Sequence, residues 1–146
     1  MADITHALTV SFLRDALNGV TFDFSSSTTD VYKLALYDAV TSVDYTTTAY
    51  STTNEITGTG YTAGGATLTI ATNPTISGRY IYLTFSDVTW SSASFSAGSG
   101  LIYQADGSAN RSVAVLSFGQ IFTVSSGNFV VDMPTELIKL VATTAG

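Results

Sequence analysis

Cysteine is missing from this sequence altogether, and with it any disulfide framework or thiolate metal site. Small secreted domains commonly depend on disulfides, so the absence points toward assembly in a reducing cytoplasm. Charge is scarce too. Only 11% of residues are charged, against about 25% in an ordinary soluble domain. The cations are two lysines and three arginines, scattered within a net charge of -6. Phosphate affinity comes from clustered Lys and Arg, so a nucleic acid partner is not expected. Histidine occurs once, at His6. A Ser–His–acid triad would have to use that residue, no G-x-S-x-G elbow occurs, and the usual zinc sets are excluded. No apolar run reaches the roughly 18 residues of a membrane-spanning helix. The start, Met1-Ala2-Asp3-Ile4-Thr5-His6, has no basic segment, and Arg14 and Asp15 interrupt the nearby apolar stretch, so it does not read as a signal peptide.

What is present is apolar. Hydrophobic residues make up 45% and mean hydropathy is +0.31. In a chain of 146 residues, enough for one domain over residues 1–146, that excess must be buried in the core and against other subunits.

The first segment suggests a helix over residues 3–18. Leu8, Phe12, Leu13 and Leu17 share one helical side, Asp3 or Thr5 could cap its start, and Asn18-Gly19 is a natural stop. A helix this short must dock, on its own sandwich or on a neighbour. After Gly19 the period becomes two. Ile81, Leu83 and Phe85 alternate with Tyr80, Tyr82, Thr84 and Ser86, and Leu68 and Ile70 alternate with Thr67 and Thr69. Val31–Tyr37, Leu101–Ala105, Val113–Phe118, Phe129–Met133 and Leu137–Val141 complete the predicted strands. Turn signals lie between them at Asn73-Pro74, Ser77-Gly78, Asp106-Gly107 and Ser126-Gly127-Asn128. The expected fold is therefore mainly β: a single-domain antiparallel β-sandwich, jelly-roll-like, with one short N-terminal helix. Asp106-Gly107 favours a hairpin with a loop longer than two residues. Trp90 and Phe95 read as core residues rather than a ligand platform.

Residues 40–66 stand apart as a long Thr/Ser/Gly/Tyr segment carrying Tyr45, Tyr50 and Tyr61. A loop of this length is usually functional or mobile. Tyrosines among small polar residues make adaptable contact surfaces, so these three are candidate intersubunit contacts. The alternative is a solvated loop with its tyrosines folded back on the sandwich.

Motifs for chemistry are weak. Gly58-Thr59-Gly60-Tyr61-Thr62-Ala63 matches a dinucleotide fingerprint literally, yet Gly64-Gly65 and a strand follow where the motif requires a helix. Asp23, Asp30, Asp38 and Asp44 lack the spacing of a calcium loop. Glu55, Asp87, Asp106, Asp132 and Glu136 supply carboxylates, but no pattern pairs two on one face as a glycosidase needs. The sequon Asn110-Arg111-Ser112 matters only in a secreted protein. Neither an enzyme, a cofactor nor a metal is expected.

The order of segments resembles small structural proteins encoded by tailed bacteriophages. The stretches that carry the likeness are SFLRDALNGVTFDF (Ser11–Phe24), VYKLALYDA (Val31–Ala39), TTTAYSTTNEITGTGYTAGG (Thr46–Gly65), SDVTW ending at Trp90, GLIYQAD from Gly100, and NRSVAVLSFG (Asn110–Gly119). The words are low in complexity, so their linear order over nearly the whole chain carries the weight. The resemblance implies a non-enzymatic virion component assembled in the bacterial host cytoplasm. The preferred role is a capsid decoration (cement) protein, a trimer or dimer that binds and stabilises the major capsid protein shell. It offers no site motif to carry over. A neck, tail or fibre component is the nearest alternative, and a carbohydrate-binding β-sandwich module or a small hydrolase are the others. Within the virion reading, the first residues through Thr5 and the last from Thr143 to Gly146 are candidate arms for strand addition.

Overall fold

The computed structural model describes residues 4–142. Eight strands form two antiparallel sheets. A five-stranded sheet has the order β1 (Thr5–Leu8), β7 (Ser112–Val131), β6 (Val88–Gln104), β2 (Tyr32–Tyr37), β3 (Ala66–Thr67). A three-stranded sheet has the order β4 (Ile70–Ser77), β5 (Tyr80–Phe85), β8 (Ile138–Val141). With one helix, α1 (Val10–Leu17), this is the mainly β sandwich that the alternating pattern predicts.

The long β6–β7 hairpin is the spine. Near its loop it is flanked by β2 on one side and β1 on the other, with Leu101 opposite Val115 and Ala35. Beyond that, Trp90, Phe95, Phe129 and Val131 turn inward and join Leu83, Phe85 and Ile138 of the small sheet in the main core. Trp90 and Phe95 are each 6% exposed, so they are core residues as the sequence suggests. Phe24 stacks on Tyr32 at 4.7 Å and meets Phe85 edge-on, linking the two sheets. The Asp106-Gly107 hairpin also forms. Asp106 accepts from the amides of Ser108 and Asn110, which holds its carboxyl below the usual range, and Arg111 pairs with it at 3.5 Å.

The outer face of the five-stranded sheet carries a second apolar cluster, Ala35, Tyr37, Val43, Leu101, Tyr103 and Val115. The loop after β2 covers it. Strand β2 is thus buried on both faces, which explains why Tyr32–Tyr37 is a nearly continuous apolar run rather than an alternating one.

Three expectations need correction. The helix does not cover residues 3–18. Thr5–Leu8 is instead an edge strand, and Thr9, extended at φ -78° and ψ 145°, caps a helix that begins at Val10. The Thr9 side chain accepts the Phe12 amide, a standard N-cap bond; of the two expected caps, Thr5 lies within β1 and Asp3 lies outside the described residues. His6 therefore lies on a strand opposite Leu116, not in a helix start. The expected apolar side of the helix is also misplaced: Leu13 and Leu17 are exposed and only Phe12 is buried. The docked side is polar. Ser112 gives its one proton to the Thr47 carbonyl at 2.7 Å, so Ser11 and Thr9 donate to the Ser112 hydroxyl at 2.8 and 2.9 Å. Finally, two predicted turns lie inside strands. Asn73-Pro74 sits at an irregularity of edge strand β4, where a missing amide proton is tolerated. Ser126-Gly127-Asn128 is a bulge in β7, with Ser126 at φ 50°.

Candidate functional site

The segment between β2 and β3 is organised by one carboxylate. Glu55 accepts from the Tyr50 hydroxyl at 2.7 Å, from the Tyr61 hydroxyl at 2.7 Å and from the Gly64 amide at 2.7 Å. Tyr61 in turn accepts the Leu36 amide of β2 at 3.0 Å. The chain Glu55–Tyr61–Leu36 therefore fastens the loop to the sheet through a charge-assisted bond. Tyr50 stacks on Tyr103 at 4.7 Å, and Tyr103 donates to the Gly64 carbonyl at 2.7 Å. Tyr37 donates to the Ser51 carbonyl at 2.8 Å.

Burial pushes the Tyr37 and Tyr103 hydroxyls up to about 12. It raises Tyr50 and Tyr61 as well, and their bonds to the Glu55 carboxylate add to the effect. All four are thus phenols that hold their protons and donate. Glycines let the loop lie this close. A Cβ at Gly65, where φ is +81°, would stand 1.8 Å from the Leu34 carbonyl oxygen. The Gly58–Ala63 stretch lies in this loop and leads into strand β3, with no helix to receive a phosphate.

Of the three candidate contact tyrosines, the structure brings two together and leaves one outside. Tyr50 and Tyr61 share Glu55, and their hydroxyls are used within the chain. Tyr45 is 59% exposed. It borders a groove of about 260 Å³ beside edge strand β1, lined also by His6, Ala7, Val43, Asp44 and Val115. Sequence reasoning missed Glu55 as the hub and counted it only as a possible catalytic acid. Its place between two tyrosines five and six residues away is the signal that was there to read.

Most of the other singled-out acids are held by neighbouring amides and side chains. Asp30 accepts from Gln104, Tyr32 and the Asp23 amide, Asp38 from Ser42, and Asp44 from Thr46. Asp87 accepts the Met133 amide, and Glu136 pairs with Lys139 at 3.0 Å. Among the described residues no three His, Asp or Glu side chains gather as metal ligands, and every buried side-chain polar atom has a partner. The one described helix, α1, is not long and apolar enough to cross a membrane.

The surface carries a second exposed apolar feature. Ile76 stands opposite Ile81, and Ile81 opposite Leu140, so the three share one face of the small sheet. One register step inward on that face, Leu83 and Ile138 are buried in the core. Ile76 is 79% exposed, and Ile81 and Leu140 are open as well. The row is the core-facing side of the small sheet continued past the point where the other sheet covers it. Compared with known proteins, the chain matches no family model, no curated protein and no solved structure.

Proposed function

We propose that this chain is a non-enzymatic, self-associating virion structural protein of a tailed bacteriophage, in the role of a capsid decoration protein that binds and stabilises the major capsid shell. The observation that carries the reading is the uncovered row Ile76–Ile81–Leu140. Exposed, contiguous apolar side chains on a sheet face are what an interaction surface requires. The resemblance in segment order supports the phage context. The inward use of the loop carboxylate and hydroxyls favours a scaffold over a reaction site, because these groups are already committed to holding the loop.

Strong monomer affinity is not needed for this role. A lattice presents many copies, so modest apolar contacts suffice once several are engaged together. A neck, tail or fibre component would share the fold and differ in copy number. Trp90, at 6% exposure, offers no flat platform for a sugar, which weighs against a carbohydrate-binding module built on it.

The test is to add the purified chain to phage shells that lack it and follow shell disassembly on heating. Saturable binding with a raised disassembly temperature is the expected result. Shells that neither bind the chain nor gain stability would remove the decoration role.

A further inference from the structure

Two apolar surfaces among the described residues differ in charge. Arg79 is the one charged residue lining the patch around Ile76, Ile81 and Leu140, and it makes no ion pair among the described residues. The groove beside β1 is lined by Tyr45, Val43 and Ala7, and its one carboxylate is the exposed Asp44. The two linings share no residue.

We propose that the patch around Ile76 and Arg79 of one copy docks into the Tyr45–Asp44 groove of a second copy, head to tail. The proposal rests on the reading that the chain self-associates, and names the surfaces. Opposite charge decides the pairing. Patch on patch would place two Arg79 guanidiniums in one interface whose linings hold no carboxylate, and groove on groove two Asp44 carboxylates in one whose linings hold no Lys or Arg, so neither self-pairing neutralises its charge. Patch in groove covers both apolar surfaces and pairs Arg79 with Asp44. Such a contact is heterologous, so it closes into a ring where the rotation permits and otherwise grows a filament.

Charge reversal followed by sedimentation tests this. Arg79→Glu and Asp44→Lys should each weaken self-association by about five- to tenfold, the loss of an exposed pair plus new repulsion. Equimolar mixing of the two variants should recover association, because each supplies the surface the other needs. Asp44 also accepts from Thr46, so a second assay avoids altering that turn. The chain has no cysteine, and single-cysteine variants therefore crosslink unambiguously. Under oxidised glutathione, an Ile76→Cys chain mixed with a Tyr45→Cys chain should form the mixed disulfide in preference to either homodimer. A wild-type oligomer indifferent to both charge reversals, or crosslinking dominated by Ile76→Cys homodimers, overturns the head-to-tail contact alone. A wild-type chain that stays monomeric at high concentration overturns the self-association reading and this contact with it.

Discussion

Replacing Glu55 with alanine removes the acceptor for three donors at once: the Tyr50 hydroxyl, the Tyr61 hydroxyl and the Gly64 amide, each at 2.7 Å. A hydrogen bond to a charged group contributes about 1.5–3 kcal/mol net. Both hydroxyls are only half-buried, so water recovers part of each loss and the lower figure applies. The expected cost is about 4 kcal/mol, a large share of the roughly 5–15 kcal/mol that holds a domain folded. In a chain of this size that lowers the melting temperature by roughly 10 °C. Glu55→Gln keeps the shape and one good acceptor but must place an amide against one donor, so it should cost about half as much. Urea denaturation gives the free energies, and amide exchange locates them. The Leu36 and Ile56 amides, bonded to the Tyr61 hydroxyl and the Leu36 carbonyl, should lose protection before the β6–β7 ladder does. Because Glu55 and Tyr61 act through one bond, Glu55→Ala and Tyr61→Phe should combine to less than their sum. A loss for Glu55→Ala below about 1 kcal/mol, or exchange that quickens uniformly over the chain, would refute the latch.

Other perturbations follow from the same packing. Gly65→Ala drives a methyl into the Leu34 carbonyl and should cost at least about 3 kcal/mol, whereas Gly78→Ala, with open space around it, should cost about 1 kcal/mol from its positive φ alone. Phe12→Ala should cost about 3–5 kcal/mol, while Leu17→Ala, at 89% exposure, should fall within about 0.5 kcal/mol of wild type; both are read by urea denaturation. Alkali should destabilise the fold. Tyr37 and Tyr103 bind their protons more tightly folded than unfolded, so stability falls as pH rises from about 10, the unfolded tyrosine value, to about 12. Stability flat across that window, with tyrosinate absorbance appearing early, would contradict their burial.

The sequence made much of the sandwich legible, because strands with one buried face alternate by necessity. Strand β5 and the parts of the β6–β7 hairpin at Leu101–Gln104, Val113–Phe118 and Phe129–Val131 follow from that pattern, and Trp90 and Phe95 read as core from their size; the unbroken length of β6 and β7 does not follow from it. The helix start did not. Strand β1 is four residues long, largely exposed, and defined by pairing with residues more than a hundred positions later, which no local period reports. Turn chemistry also misleads inside strands: a bulge at Ser126 uses the same positive φ as a turn, and an edge strand accepts Pro74. The three candidate contact tyrosines looked alike in the sequence. Only the fold shows Tyr50 and Tyr61 converging on Glu55 while Tyr45 faces outward.

If this chain decorates a phage shell, it belongs to the virion in many copies. The most direct measurement is its abundance relative to the major capsid protein in purified phage particles, by quantitative mass spectrometry. A decoration protein is present at a fixed stoichiometry comparable to that of the shell protein; a few copies per particle would move the chain to the neck or tail, and its complete absence from the particle would contradict the virion reading.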